Sequence, residues 1–299
     1  MVFLAMVFQS LGTQHFFAQT LKPSDAAAEP AILAGAGDIT GCEPQEGAEA
    51  TAKLLDEIPG TIIAVGDLTY GNATASDFEQ CYAKTWGRHK NRTRPVPGNH
   101  EYVMKGAAGY FQYWRQSAGR AGKGYYSFDL GAWHIVALNS NCEQPGLGGC
   151  DSGSPQEKWL REDLEKHHWA CVLAYWHHPL FSSGLSPFHA MRPEMRAIWK
   201  DLQRAHADVV VTGHEHSYER FTPQDADGKR DMEHGIREFV VGTGGRSHTP
   251  FGRVLANSEV RNADTYGILK FTLDTRTYKW EFIPEAGETF RDSGSGNCH

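Results

Sequence analysis

Apolar runs in this chain stop on acids, amides and imidazoles. GDIT at 37–40, GDLTY at 66–70, GNHE at 98–101, HHP at 177–179 and GHEHSYER at 213–220 close stretches such as AILAGA, TIIAV, CVLAYW and DVVV. In open α/β sheets, ligands gather beyond the carboxyl ends of strands. The pattern therefore constrains fold and chemistry together: buried strands whose ends assemble one polar site. A single Asp after a strand is more often a helix cap or turn residue, and a single His a polar loop residue. Four such positions, Asp38, Asp67, His177 and His214, make a recurrence that a metal site explains.

The strands have helices between them. AILAGAGD at 31–38 and GTIIAVGD at 60–67 flank helical spacing at 47–57, which reads as a βαβ unit with parallel pairing. A further helix is expected over Asp77–Trp86, and the two prolines of TRPVPGNH force extended backbone before the third cluster. YYSFDL and WHIVALNS around Gly131 read as a hairpin. SPQEKWLREDLEKH at 154–167 carries a helix start signal, Ser then Pro. CVLAYW at 171–176 is another strand, a helix is expected from Pro193 to Arg204, and ADVVVTGHEH at 207–216 repeats the pattern of strand then cluster. REFVVGTGG and a hairpin of TYGILKFTLD with TYKWEFIPE complete the chain. Parallel units followed by hairpins imply one α/β domain of two mixed sheets with helices on their outer faces.

The chain has 299 residues and a formal charge of -7, which argues against holding extended nucleic acid on a basic surface. A small phosphorylated substrate stays open, because bound cations supply positive charge locally. Residues 1–30 read as an N-terminal extension or the remnant of a signal segment; their apolar run from Met1 to Phe8 is too short to span a bilayer. Cys142 and Cys150 flank a glycine-rich loop, and Cys42 and Cys81 each lie just beyond a cluster. Pairing Cys42 with Cys81 and Cys142 with Cys150 would suit a secreted or periplasmic protein, with free thiols and other pairings left open. Cys171 reads as a buried thiol, and Cys298 as an unpaired residue on a flexible tail, 291–299.

Carboxylate, amide and imidazole together favour Fe, Mn or Zn over an all-oxygen Mg or Ca site. Asp67 could bridge two cations through its two oxygens, with Asp38 and Asn99 as oxygen donors and His177, His214 and His216 as nitrogen donors. Extended backbone through His214-Glu215-His216 would turn both rings to one side.

GNH, GHxH and GDxxY together resemble the calcineurin-like metallophosphoesterases, and more narrowly their purple acid phosphatase branch. The resemblance runs from about Ala31 to the C-terminal hairpin, and YWHHPLFSSG and GHEHSYER look like its small bacterial single-domain members. It implies a four-layer αββα sandwich, two mixed β-sheets flanked by helices, with a catalytic domain over 31–290. It implies that Asp38, Tyr70 and His216 hold one metal, that Asn99, His177 and His214 hold the other, and that Asp67 bridges them. The wider superfamily has Asp-x-His in its first cluster; here Thr40 stands in place of that His while Tyr70 is present, as in the purple branch. The metals implied are Fe with Zn, Mn or a second Fe.

The activity expected is hydrolysis of phosphate monoesters by a metal-bound hydroxide, releasing inorganic phosphate. His100 is the candidate for phosphate contact or for protonating the leaving oxygen, with His189 as a second candidate that could equally cap the following helix. Glu101 and His178 are expected to support the ligands. Tyr218, Glu219 and Arg220 are expected to stabilise the loop after the last cluster through packing and a charge pair, with Arg220 as a direct phosphate ligand the subordinate reading. GTGG at 242–245 lacks the Lys and helix of a nucleotide loop and reads as a tight turn beside the pocket. Two alternatives stand beside the monoesterase: a phosphodiesterase or nucleotide hydrolase of the same fold, and an inactive phosphate-binding protein. Oligomeric state is not legible.

Overall fold

The computed structural model describes Met1 and residues 29–43, 46–168, 170–185 and 191–299. The segment read as an extension or signal remnant thus lies almost wholly outside the described residues. The chain opens with β1 (Ala31–Ala36), α1 (Glu46–Asp56), β2 (Thr61–Val65), α2 (Ala75–Gln80), β3 (Thr93–Val96) and α3 (Ala108–Trp114). It continues through β4 (Tyr126–Leu130), β5 (Trp133–Ala137), α4 (Pro155–Lys166), β6 (Cys171–Tyr175), α5 (Arg196–Arg204), β7 (Val209–Thr212), β8 (Tyr218–Phe221), β9 (Arg237–Val241) and β10 (Ser258–Asn262). The last strands are β11 (Gly267–Leu273), β12 (Thr277–Pro284) and β13 (Ser293–Asn297).

One sheet has the order β13-β12-β11-β1-β2-β3, and the other β10-β8-β9-β7-β6-β5-β4. Both are mixed. β1, β2 and β3 run parallel, as do β5, β6, β7 and β9, while the flanking pairs are antiparallel. Alternation along the second sheet explains the layering. Ile135, Leu173 and Val211 join the core shared with Leu33, Val65, Phe271 and Trp280 of the first sheet. Their neighbours Val136, Val172 and Val210 instead pack with Leu160, Leu164, Ile198 and Trp199 of α4 and α5. The architecture is an α/β sandwich of two mixed sheets flanked by helices. Strands covered on both faces need apolar residues throughout, which is why the parallel strands read as continuous apolar runs.

Local signals act as the chain predicts at α4, where the Ser154 hydroxyl accepts from the Glu157 N–H at 3.2 Å and Pro155 occupies the first turn. Elsewhere the structure differs from the sequence reading. The helix expected over Asp77–Trp86 ends at Gln80 and continues as 3₁₀ turns from its C-cap, Cys81, which is bridged to Cys42. The helix expected from Pro193 begins as a 3₁₀ turn before α5. Residues 291–299, read as a flexible tail, carry β13, which pairs antiparallel with β12.

Cys171 and Cys298 form a disulfide with Cα atoms 5.5 Å apart, correcting the expectation of a buried thiol and a loose one. The return of β13 along the sheet edge brings Cys298 to the start of β6. The other two disulfides pair as read, Cys42 with Cys81 and Cys142 with Cys150. All six cysteines are therefore oxidised, which fits an oxidising compartment. Among the described residues, no helix is long and apolar enough to cross a membrane.

Candidate metal centre

The parallel strands β1, β2, β3, β6 and β7 end on the same side of the molecule, and each delivers a donor two or three residues later. Asp38, Asp67 and His214 sit in the left-handed region with φ of 60°, 50° and 69°. For residues with a Cβ this conformation is strained and clusters at functional sites. The turns swing the side chains back across the strand ends, where Asp38 is 0% and Asp67 2% exposed.

Two groups of atoms converge there. Tyr70 Oη lies 3.0 Å from Asp38 Oδ1 and 2.9 Å from His216 Nε2, and that nitrogen is 3.3 Å from Asp38 Oδ1. In the second group, His177 Nε2 lies 3.1 Å from Asn99 Oδ1, 3.2 Å from His214 Nδ1 and 3.3 Å from Asp67 Oδ2. Asp38, Asp67 and His177 also offer donor atoms within 4.8 Å of one another, so the groups adjoin. One N–H cannot serve the three neighbours around His177 Nε2; a cation among them can. Two of the three far nitrogens are anchored, since His177 Nδ1–H donates to the Val65 carbonyl at 2.9 Å and His216 Nδ1 meets the Ser247 hydroxyl at 2.6 Å. Such outer contacts fix the tautomer that turns the other nitrogen inward. His214 Nε2 is buried without a hydrogen-bond partner. Oxygen and nitrogen donors in this mixture fit first-row transition ions.

Charge follows the same geometry. Burial opposes ionisation of Asp67, but the adjoining His177 holds its carboxyl well below the usual range. Burial likewise works against the His177 imidazolium, yet Asp67 and then Asp38 raise it to about 9. Burial and the His177 charge lower His214 to about 4. Tyr70 is pushed well above its ordinary value, by burial and then by Asp38. Without a cation, this cluster shares protons among groups that could otherwise be ligands.

Glu101, fully buried, accepts backbone N–H groups from Gly98, Leu68, Asp67 and Thr69 at 2.7, 2.9, 3.0 and 3.3 Å. It ties the GNHE turn to the GDLTY turn. Burial and then the Asp67 charge raise it to about 7. His100 donates its backbone N–H to Asp67 Oδ1 at 2.8 Å, and its ring packs 4.2 Å from that of Tyr70. With its side chain 36% exposed, it stands on the solvent side of the cluster. His178 lies close enough to His177 and His214 to compete as a ligand. Both its ring nitrogens are engaged, however: Nε2 accepts from Arg192 at 3.2 Å and Nδ1–H donates to Ser140 Oγ at 2.8 Å.

Arg220 is not part of this cluster. It lies on β8 and pairs with Asp292 and Glu259, not with Glu219, because successive strand residues face opposite ways. Glu219 instead accepts the Ser183 N–H at 2.8 Å. His189 lies outside the described residues. Ser140, Arg192, Arg246 and Ser247 were not singled out from the sequence. The last two directly follow the GTGG turn, and that adjacency is the signal that could have marked them.

Fold and donors together define a metallo-dependent phosphatase-type α/β sandwich with a candidate two-metal centre. The chain belongs to the calcineurin-like phosphoesterase family, whose profile matches residues 33–218. It is 27% identical to purple acid phosphatase 15 of Arabidopsis thaliana over 240 residues, 69% of this chain and 43% of that protein. Purple acid phosphatase 23 of the same plant is 30% identical over 205 residues, 56% of this chain and again 43% of the relative. The matched region thus spans less than half the length of these relatives. Among solved structures, purple acid phosphatase PPD1 from yellow lupin (Lupinus luteus) seeds superposes with a TM-score of 0.76 at 20% identity, covering 91% of this chain and 55% of that one. GAP50 of Plasmodium superposes with a TM-score of 0.71 at 13% identity, covering 90% and 89%. These two likenesses show the fold alone.

Proposed function

We propose that this chain is a binuclear metal-dependent phosphatase acting on monoesters of small phosphorylated molecules, of the purple acid phosphatase branch in its small bacterial form. The observation that carries the reading is the convergence of donors into two adjoining groups. Asp38, Tyr70 and His216 would hold one ion, Asn99, His177 and His214 the other, and Asp67 both. Thr40 in place of a histidine, with Tyr70 present, supports iron in the first position and Zn, Mn or a second Fe in the other. When bound, the ions supply positive charge for the phosphoryl oxygens and make a water acidic enough to act as nucleophile at neutral pH.

The chain supplies the rest. His100, at the open side of the cluster, contacts the phosphoryl group or donates a proton to the leaving oxygen. Glu101 holds the turn that presents Asn99 and His100. His178, fixed by Ser140 and Arg192, packs against His214 with ring centroids 4.5 Å apart and closes the inner wall. The net charge of -7 supports small esters over extended nucleic acid. The catalytic domain starts near Ala31 and includes β13, and three disulfides support export to the periplasm or beyond. Hydrolysis of a monoester compared with a bis-ester by metal-loaded protein tests the assignment: monoester turnover should dominate, and dominant bis-ester turnover would make the chain a diesterase.

A further inference from the structure

The GTGG turn sets up a contact that metal binding alone does not explain. A Cβ on Gly244 would lie 2.4 Å from the Gly37 carbonyl oxygen. Only glycine lets this turn press against the first cluster, and the residue it delivers there is Arg246. The Arg246 N–H donates to the Asp38 carbonyl at 3.0 Å. Its guanidinium carbon stands 4.7 Å from the centre of the Tyr70 ring. The same ring carries the oxygen that touches Asp38 and His216.

We infer that Arg246 is a positioning residue for Tyr70, fixing the ring and setting the electron density that it offers to a ferric ion. This rests on the reading that Tyr70 holds iron. A cation over an aromatic face is attracted by the electrons of the ring and stabilises them there. The visible band of an iron-bound tyrosinate arises when an electron leaves that ring for the metal. A guanidinium over the ring holds the electron back and raises the energy of the band. Arginine suits the role through its planar, permanently charged group.

The test is the visible spectrum of iron-loaded wild type, R246M, R246Q and R246K, each with metal content measured. The inference predicts a shift to longer wavelength in the neutral variants at unchanged iron per chain, and a band nearer wild type in R246K. R246Q gives the same readout should R246M fail to hold metal. A band that stays at its wild-type position in the neutral variants overturns this inference while leaving the iron reading intact. Iron-loaded wild type with no such band overturns both.

Discussion

Gly98 gives the sharpest perturbation of the centre, because it contributes no side chain and its replacement acts on one neighbour. A Cβ at this position would lie 2.1 Å from Asp67 Oδ1 and 2.4 Å from the Asp67 nitrogen. Ordinary contact needs more than 3 Å, so in Gly98→Ala the Asp67 carboxylate or the GNHE turn has to move by about 1 Å. Misplacement of that size at a reacting centre costs on the order of 100-fold in rate. Here it falls on the side chain proposed to serve both ions. The assay is metal content with kcat and KM for a monoester. Gly146→Ala serves as the control, since its added Cβ would meet nothing closer than 3.5 Å. Expected is a fall in kcat of roughly 100-fold, with ion content below wild type. If Gly98→Ala keeps both ions and a kcat within about threefold of wild type, the proposed bridging role of Asp67 is wrong.

Asp67→Ala should abolish both metal occupancy and turnover, read by metal analysis and monoester hydrolysis on the same sample. His134→Gln tests a pH-dependent clamp away from the centre. Buried His134 meets Asp163 and Asp129 at 2.8 Å each, and although burial opposes its charge, the two carboxylates raise it above the ordinary value. Its stabilisation is therefore fully present below about pH 6.5 and lost as pH rises through the higher folded value. The variant should lose about 1–3 kcal/mol at pH 5.5, mostly through Asp163 because Asp129 is exposed, and less at pH 9. Equal losses in urea unfolding at the two pH values would remove the charge from the explanation. Cys298→Ser opens a link across 127 positions and should cost about 2–5 kcal/mol, with earlier proteolysis of β13; unchanged thermal unfolding would refute this.

Much of the candidate centre was legible because burial on both faces writes parallel strands as apolar runs, so their ends are visible as the first polar residues. Asp38, Asp67 and His214 stood out for that reason. The pairing of Cys171 with Cys298 was not legible: it depends on β13 returning along the sheet edge, and SGSGN carries no apolar alternation. Arg220 forms the expected kind of charge pair, but its partner was not legible: strand alternation turns it away from its neighbour Glu219 and toward Asp292. Ser140 and Arg192 reach His178 from separate segments, a contact that only tertiary structure creates. The helix from Ala75 stops at Gln80, beside the Cys42–Cys81 bridge, where helical spacing in the sequence continues to Trp86.

The most direct test of the central claim is a titration of metal-free protein with iron and zinc, following monoester hydrolysis against ions bound per chain. The account predicts turnover that appears as the second ion fills and disappears on chelation. Full turnover with one ion bound, or phosphate binding without turnover when both sites are filled, would contradict it.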